Sequence, residues 1–307
     1  MKVHKISDSN NCNDFPPTFC YTQQKGKIMP EGPEINREAE AIRDAVGQSE
    51  CRYVYFHHDH LKSFEAKLTG STIQDVTAIG KAILIQFEED LTMFSHNQLY
   101  GKWFIKKAGE YPKTNRELRV ELRTDQKSAL LYSASDIEVL NPDGLRDQKY
   151  LKNLGPDILD DLEAEDVFER VKSDKFNGRS FAALLLDQHF LSGVGNYLRS
   201  EILFHAGINP SARPKDLNES ELEAFSRSVI QISQRAYITG GITADDETVR
   251  KAKKSGEKRK HYRHYVFSRD GKPCRECETE VKKIQKSGRR LYLCESCQLK
   301  STKIPVR

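Results

Sequence analysis

Met29-Pro30-Glu31-Gly32-Pro33-Glu34 lies behind 28 residues of unpatterned polar chain. Ile35, Ala39, Ile42 and Val46 follow it at helical spacing, so the stretch predicts a helix with Pro33 and Glu34 in its first turn. The same string reads as a translation start. If the chain begins at Met29 and that methionine is removed, Pro30 presents a secondary amine. A chain α-amino group has a pKa of about 7.7–8.0 against about 10.4 for lysine, so near neutrality roughly a tenth of it is unprotonated. Such an amine forms a Schiff base without needing a buried lysine. An ordinary helix start explains the string equally well, and it is the far end of the chain that separates the two readings.

There, Cys274, Cys277, Cys294 and Cys297 form two C-x2-C pairs sixteen residues apart, the spacing of one structural Zn2+ held by four thiolates. A thioredoxin-type centre needs one such pair rather than two. Between the pairs, residues 281–286 and 289–293 read as short strands joined by Ser287-Gly288, a hairpin clamped at its base by the metal. Its tip carries Arg289 and Arg290, with Lys282, Lys283 and Lys286 near. The bland alternative is a purely structural zinc knuckle with a solvated basic face. Charge distribution favours a polyanionic partner: residues 251–307 hold 18 Lys and Arg against 6 Asp and Glu, net +12, while the whole chain is only +4. Residues 1–250 therefore carry −8. Such asymmetry points to nucleic acid, bound through its phosphates and weakened by salt.

The 307 residues allow two or three domains. No run of about 18 apolar residues occurs and the leading segment lacks the apolar core of a secretory signal, so no membrane association is expected. Cys12, Cys20 and Cys51 bring the cysteines to seven, an odd number that suits a reducing compartment better than a disulfide scaffold. Between about residues 53 and 140, alternating runs such as 82–87, 119–122 and 128–132 predict a β-rich half. From about 155 the pattern turns helical, over 162–171, 180–188, 197–206 and 218–237. Pro and Gly accumulate between 141 and 156, where the linker is expected.

Two further stretches carry potential chemistry. In Leu191-Ser-Gly-Val-Gly-Asn-Tyr-Leu-Arg199, Gly193 and Gly195 permit close backbone approach, and a helix start with Asn196 suits a phosphate. A tight turn capped by Asn196 is the plainer reading. In Ser95-His-Asn-Gln-Leu-Tyr-Gly101, the residues Gln98, Leu99 and Tyr100 are able to fill the gap left when a base leaves the DNA stack, or simply to end a core strand in a turn.

Taken together, these residues resemble the formamidopyrimidine-DNA glycosylase/endonuclease VIII repair family, and its bacterial endonuclease VIII branch in particular. The resemblance spans residues 30 to about 299. It rests on M-P-E-G-P-E at 29–34, G-K at 80–81, S-H-N-Q-L-Y-G at 95–101, L-Y-S-A-S-D at 131–136, L-L-L-D-Q at 184–188, G-V-G-N-Y-L-R at 193–199 and the four-cysteine hairpin ending C-x-x-C-Q. It implies an α+β multidomain protein: an N-terminal two-sheet β-sandwich with flanking helices over 30–150, a helix–two-turn–helix domain over 151–250 and a C-terminal β-hairpin zinc finger over 263–302. Residues 1–29 are expected to be a leader absent from the mature protein.

The family resemblance also implies the chemistry. The Pro30 amine attacks the sugar C1′ of a flipped, damaged nucleotide, Glu31 moves protons, and β,δ-elimination leaves a one-nucleotide gap with phosphate ends. Lys81, counted with Pro30 and Glu31 as catalytic, and Asn196 and Arg289, counted as DNA-binding, match positions that grip phosphates around the lesion. Gln98, Leu99 and Tyr100 match the void-filling residues of the endonuclease VIII branch. The expected partner is double-stranded DNA containing oxidised bases or abasic sites, the expected form a monomer, and the expected place the bacterial cytoplasm with its nucleoid. Where the family often has Arg-Gly-Lys, this chain has Ile79-Gly80-Lys81, losing an accessory charge but keeping Lys81. Oxidised pyrimidines are the expected substrates. Oxidised purines are the sibling-branch alternative, and noncatalytic binding of damaged DNA is what remains if Pro30 is not terminal.

Overall fold

A computed structural model describes residues 29–298. Residues 1–28 of the expected 1–29 leader and residues 299–302 of the expected finger lie outside the described residues. Helix α1 (Gly32–Val46) starts with Glu31 as N-cap, Pro33 in its first turn, and a reciprocal capping box between Glu31 and Glu34. Its stripe of Ile35, Ala39, Ile42 and Val46 is buried in the core of the N-terminal half.

That core lies between two antiparallel four-stranded sheets. One runs in the order β1 (Tyr53–Phe56), β6 (Leu118–Arg123), β7 (Lys127–Tyr132), β5 (Lys102–Lys107), the other β2 (Ile73–Ile79), β3 (Ala82–Phe87), β4 (Thr92–His96), β8 (Asp136–Leu140). A short helix, α2 (Ser63–Leu68), lies between β1 and β2. Inward residues such as Phe56, Val76, Ile85, Leu122 and Leu131 share one core with the apolar face of α1, so the alternation legible in the sequence is the alternation of a sandwich. The expected linker is compact: α3 (Pro142–Asp147) and α4 (Lys149–Lys152) start on side-chain caps from Asn141 and Gln148.

The helical half comprises α5 (Ala164–Lys172), α6 (Phe181–Leu184), α7 (Asn196–His205), α8 (Glu219–Thr239), α9 (Asp246–Lys254) and α10 (Arg259–Tyr262). The helix expected over 180–188 is only α6; beyond it the chain turns, with the Asp187 carboxylate accepting the His189 N–H at 2.9 Å. Helix α8 opens on an Asn218–Glu221 capping box and closes on Gly240 in the left-handed conformation. The hairpin β9 (Lys282–Lys286) and β10 (Arg289–Leu293) pairs Lys286 with Arg289 across Ser287 (φ 53°) and Gly288 (φ 72°), both left-handed as a tight two-residue turn requires. A last short helix, α11 (Glu295–Gln298), carries Cys297. Val281, Leu291, Tyr292 and Leu293 share one core with α7 and α8, so the hairpin is packed onto the helical half. Among the described residues no helix is long and apolar enough to cross a membrane.

Candidate functional site

The two halves meet at Glu31. Its carboxylate, 3% exposed, accepts the backbone N–H groups of Gly195 at 2.8 Å, Tyr197 at 2.7 Å and Leu198 at 3.1 Å, and so caps α7 from 164 or more residues away in sequence. The backbones approach to match, with the Gly32 N–H donating to the Gly193 carbonyl at 2.9 Å. Gly195 is the N-cap of α7. The plainer reading of Asn196 as the cap therefore fails: it occupies the first helical position, and its Oδ1 accepts from Arg199 at 2.8 Å. A Cβ at Gly195 would stand 2.4 Å from Glu31 Cδ. Gly195→Ala is accordingly expected to expel Glu31 from its cradle, lowering stability by about 1–3 kcal/mol. Thermal unfolding at constant zinc content measures this.

Burial pushes the Glu31 carboxyl up to about 7, while the charge of Lys81 and the α7 amides pull it down. Lys81 follows the β2–β3 turn, where its N–H donates to the Tyr150 hydroxyl at 2.8 Å and its Nζ to the Val194 carbonyl at 2.6 Å. Burial lowers this amine to about 8, with Glu31 raising it and Arg289 lowering it further. Glu31 and Lys81 thus act on each other electrostatically, and Glu31 adjoins Pro30 in the chain. Pro30 itself is half-buried and lines a cleft of about 540 Å³ with Glu34, Glu38, Leu99 and Arg263 among others.

On the sandwich side, the β4–β5 loop presents Gln98 in the left-handed conformation (φ 48°), with Leu99 39% and Tyr100 54% exposed. Single exposed apolar side chains are ordinary, but an adjoining Leu and Tyr at one loop tip form a small apolar patch that a partner can cover. On the helical side, Arg289 is exposed on the hairpin, close enough to lower both Lys81 and Arg199 electrostatically. Arg199 is wholly buried and holds the hairpin in place: Nη1 donates to the carbonyls of Ala182 at 2.9 Å and Lys286 at 3.3 Å, and Nη2 to that of Arg290 at 2.9 Å.

The four thiols gather at the hairpin base. Cys277 Sγ lies 3.4 Å from both Cys294 Sγ and Cys297 Sγ, Cys274 Sγ lies 3.9 Å from Cys297 Sγ, and all four sulfurs fall within 4.8 Å of one another. Zn–S bonds of about 2.3 Å in a tetrahedron place sulfurs about 3.8 Å apart, so the four residues fit one structural Zn2+.

Comparison with known proteins agrees with this layout. Residues 29–135 match the formamidopyrimidine-DNA glycosylase N-terminal domain, 154–248 the formamidopyrimidine-DNA glycosylase H2TH domain, and 271–299 the zinc finger found in FPG and IleRS. Endonuclease 8 of Escherichia coli O9:H4 (strain HS) is 44% identical over 274 residues, and that of Shigella sonnei (strain Ss046) 42% identical over 275, each covering 88% of this chain and 100% of the relative. The chain belongs to the formamidopyrimidine-DNA glycosylase/endonuclease 8 family. Lactococcus lactis Fpg (MutM) in complex with an oxidised-pyrimidine-containing DNA shares the fold at a TM-score of 0.73 and 22% identity, over 88% of this chain and all of that one. The same Fpg with Fapy-dG DNA gives a TM-score of 0.71 at 22% identity, over 87% of this chain and 99% of that one.

Within this DNA glycosylase family member, sequence reasoning missed residues that act through long-range backbone contacts. Arg199 lies inside a quoted motif, yet its carbonyl partners are up to 91 positions away. Gln298 joins the finger to the loop after α7 by accepting the Cys294 N–H at 2.9 Å and donating to the Ile208 carbonyl at 3.1 Å. Glu201, buried on α7, accepts the N–H groups of Tyr265, Val266 and Phe267 at 2.8–2.9 Å and ties down the approach to the finger.

Proposed function

We propose that this protein is a base-excision repair enzyme, a bifunctional DNA glycosylase and abasic-site lyase that removes oxidised pyrimidines through a Schiff base on Pro30. The observation that carries this reading is the pairing of Pro30, at the cleft, with a Glu31 carboxyl buried under α7 and raised to about 7. The chain acts once Met29 is its first residue and has been removed. The N-terminal domain match beginning at residue 29, and relatives covered along their whole length by 88% of this chain, support that start.

The Pro30 nitrogen then bonds to C1′, the C1′–base bond breaks, and Glu31 supplies the proton that the base or the opening sugar ring needs. The resulting iminium acidifies the C2′ hydrogen. Loss of that proton expels the 3′ phosphate, and a second elimination expels the 5′ phosphate. Lys81, Asn196 and Arg289 hold phosphates flanking the lesion, with Gln98, Leu99 and Tyr100 in the vacated stack. The contiguous exposed triad favours pyrimidine over purine lesions. Incubation of the protein begun at Met29 with duplexes carrying one thymine glycol or one oxidised guanine tests the reading. Preferential cleavage at thymine glycol, leaving phosphates on both ends of the gap, is expected. Preference for the purine reassigns the branch, and tight, salt-sensitive binding without cleavage refutes catalysis.

A further inference from the structure

Residues 249–270 join the H2TH domain, matched to 248, to the zinc finger, matched from 271. Between 250 and 263 stand eight Lys and Arg against Glu257 alone, net +7, and Glu257 lies 3.6 Å from Arg275. Helix α9 begins with its signs interleaved, as in the Lys251–Glu247 pair at 2.8 Å. Past that turn the interleaving stops. Arg250 and Lys254 stand four apart on α9, a spacing at which like charges weaken a helix. Lys254, Lys258 and Lys260 are exposed, and among the described residues none of the three has an ion pair or a side-chain hydrogen bond.

This basic segment is tied down at several points. Asp245 caps α9 by accepting the Thr248 N–H at 2.7 Å, Ala252 and Tyr262 are buried, and Arg275 donates to the His261 carbonyl at 2.9 Å. Its root reaches the cleft beside Pro30. Arg259 donates to the Gly240 carbonyl, Arg263 to that of Gly241 at 2.9 Å, and Arg37 of α1 to that of Tyr237 at 3.1 Å. Three guanidinium groups thus close the carbonyl end of α8, as the helix dipole favours. Gly240 lines the cleft, whose wall sets Arg37, Lys102, Arg116 and Arg263 against Glu34 and Glu38. The wall is positive before Arg259 is added.

Resting on the assignment of that cleft to lesion-bearing DNA, we propose that α9, α10 and the turn between them form a further DNA-backbone contact, in which Lys254, Lys258 and Lys260 hold phosphates of the duplex flanking the lesion. Ammonium groups without protein partners suit a phosphodiester chain, and each one engaged releases a condensed counterion from the DNA. Such contacts carry no sequence information; they fix where the protein stands on the duplex. The tie from Arg259 to Gly240 roots the contact at the cleft and makes it distinct from that of Arg289 on the hairpin.

The test measures binding of the Met29-start protein to a duplex carrying one tetrahydrofuran abasic-site analogue, over about 50–200 mM salt. The variant is Lys254→Gln/Lys258→Gln/Lys260→Gln. Its plot of log affinity against log salt is expected to lose about 0.9 of slope for each phosphate contact removed, about 2.7 in all. Neutral methylphosphonates, placed one at a time along both strands, locate the contact. A contiguous set of positions on one flank should weaken the unaltered protein and have no effect on the variant, while all other sensitive positions keep their effect. An unchanged slope, or a scan identical in both proteins, overturns the assignment and leaves the lysines to an acidic protein partner or to solvent. If the triple variant loses zinc or melts early, Lys258→Gln is read by itself, with an expected loss of about 0.9. Cleavage of the same duplex carrying a true abasic site is followed in parallel. Binding with the flank contact but without cleavage refutes the Pro30 mechanism and leaves this contact standing; cleavage with an unchanged slope refutes the contact and leaves the mechanism.

Discussion

Glu31→Gln is expected to lower base excision by about 10²–10⁴-fold, the usual contribution of a positioned general acid–base group. The amide removes the proton carrier and also damages its cradle. Three α7 N–H groups converge on the carboxylate, and an amide nitrogen facing them is a donor among donors, which costs about 1–3 kcal/mol. Single-turnover excision and thermal unfolding separate the two effects, since Gly195→Ala disturbs the cradle while keeping the carboxyl. The pH profile supplies a third readout. On an abasic substrate, the acid form of Glu31 is lost as pH rises past about 7, and the free Pro30 amine is lost as pH falls below about 7.7–8.0. Covalent capture should peak between the two, and Glu31→Gln should abolish the decline on the alkaline side. The stability linkage has the corresponding sign: a carboxyl raised from 4.5 to about 7 on folding stabilises fully below 4.5, and the contribution is lost as pH rises through 7.

The second large effect is expected from the metal site. Cys294→Ser should release zinc, lower the melting temperature sharply and weaken lesion-DNA binding by about 10²-fold or more. Structural zinc contributes on the order of 10 kcal/mol in isolated fingers, and here the loss spreads further. Cys294 is buried in the core shared with α7, and releasing the hairpin deprives Arg199 of the Lys286 and Arg290 carbonyls. The buried guanidinium then keeps only Ala182 and Asn196 as acceptors, and the loss of the other two is costly. Arg289 then loses its fixed place near Lys81. Zinc content, unfolding temperature and the salt dependence of binding give the readouts, and normal lesion binding by the zinc-free protein would contradict the role given to the finger.

The parts of this molecule that sequence reading captured are those written in contiguous code. The cysteine spacing specifies a metal site because four thiolates need a fixed geometry, and Ser287-Gly288 specifies the hairpin because the turn demands left-handed residues. The α1 stripe and the sandwich strands follow from periodicity, since one face of each is buried. What remained illegible are polar groups whose meaning is set by distant backbone. Glu31 reads as a helix cap of α1, and nothing local says that it also caps α7. Glu38 falls next to the apolar stripe where a solvated carboxylate is the ordinary expectation, and only the fold brings Asn97 and Lys102 against it. Arg199 reads as one more helix cation, yet it is wholly buried among hairpin carbonyls.

The most direct test is borohydride trapping on a duplex containing one thymine glycol, comparing protein begun at Met29 with protein carrying residues 1–29, each verified by intact mass. A covalent complex mapped to Pro30 in the shorter protein, and none in the longer, is the predicted result. Equal trapping of both forms, attachment at any other residue, or binding of both without trapping would contradict the terminal-amine mechanism.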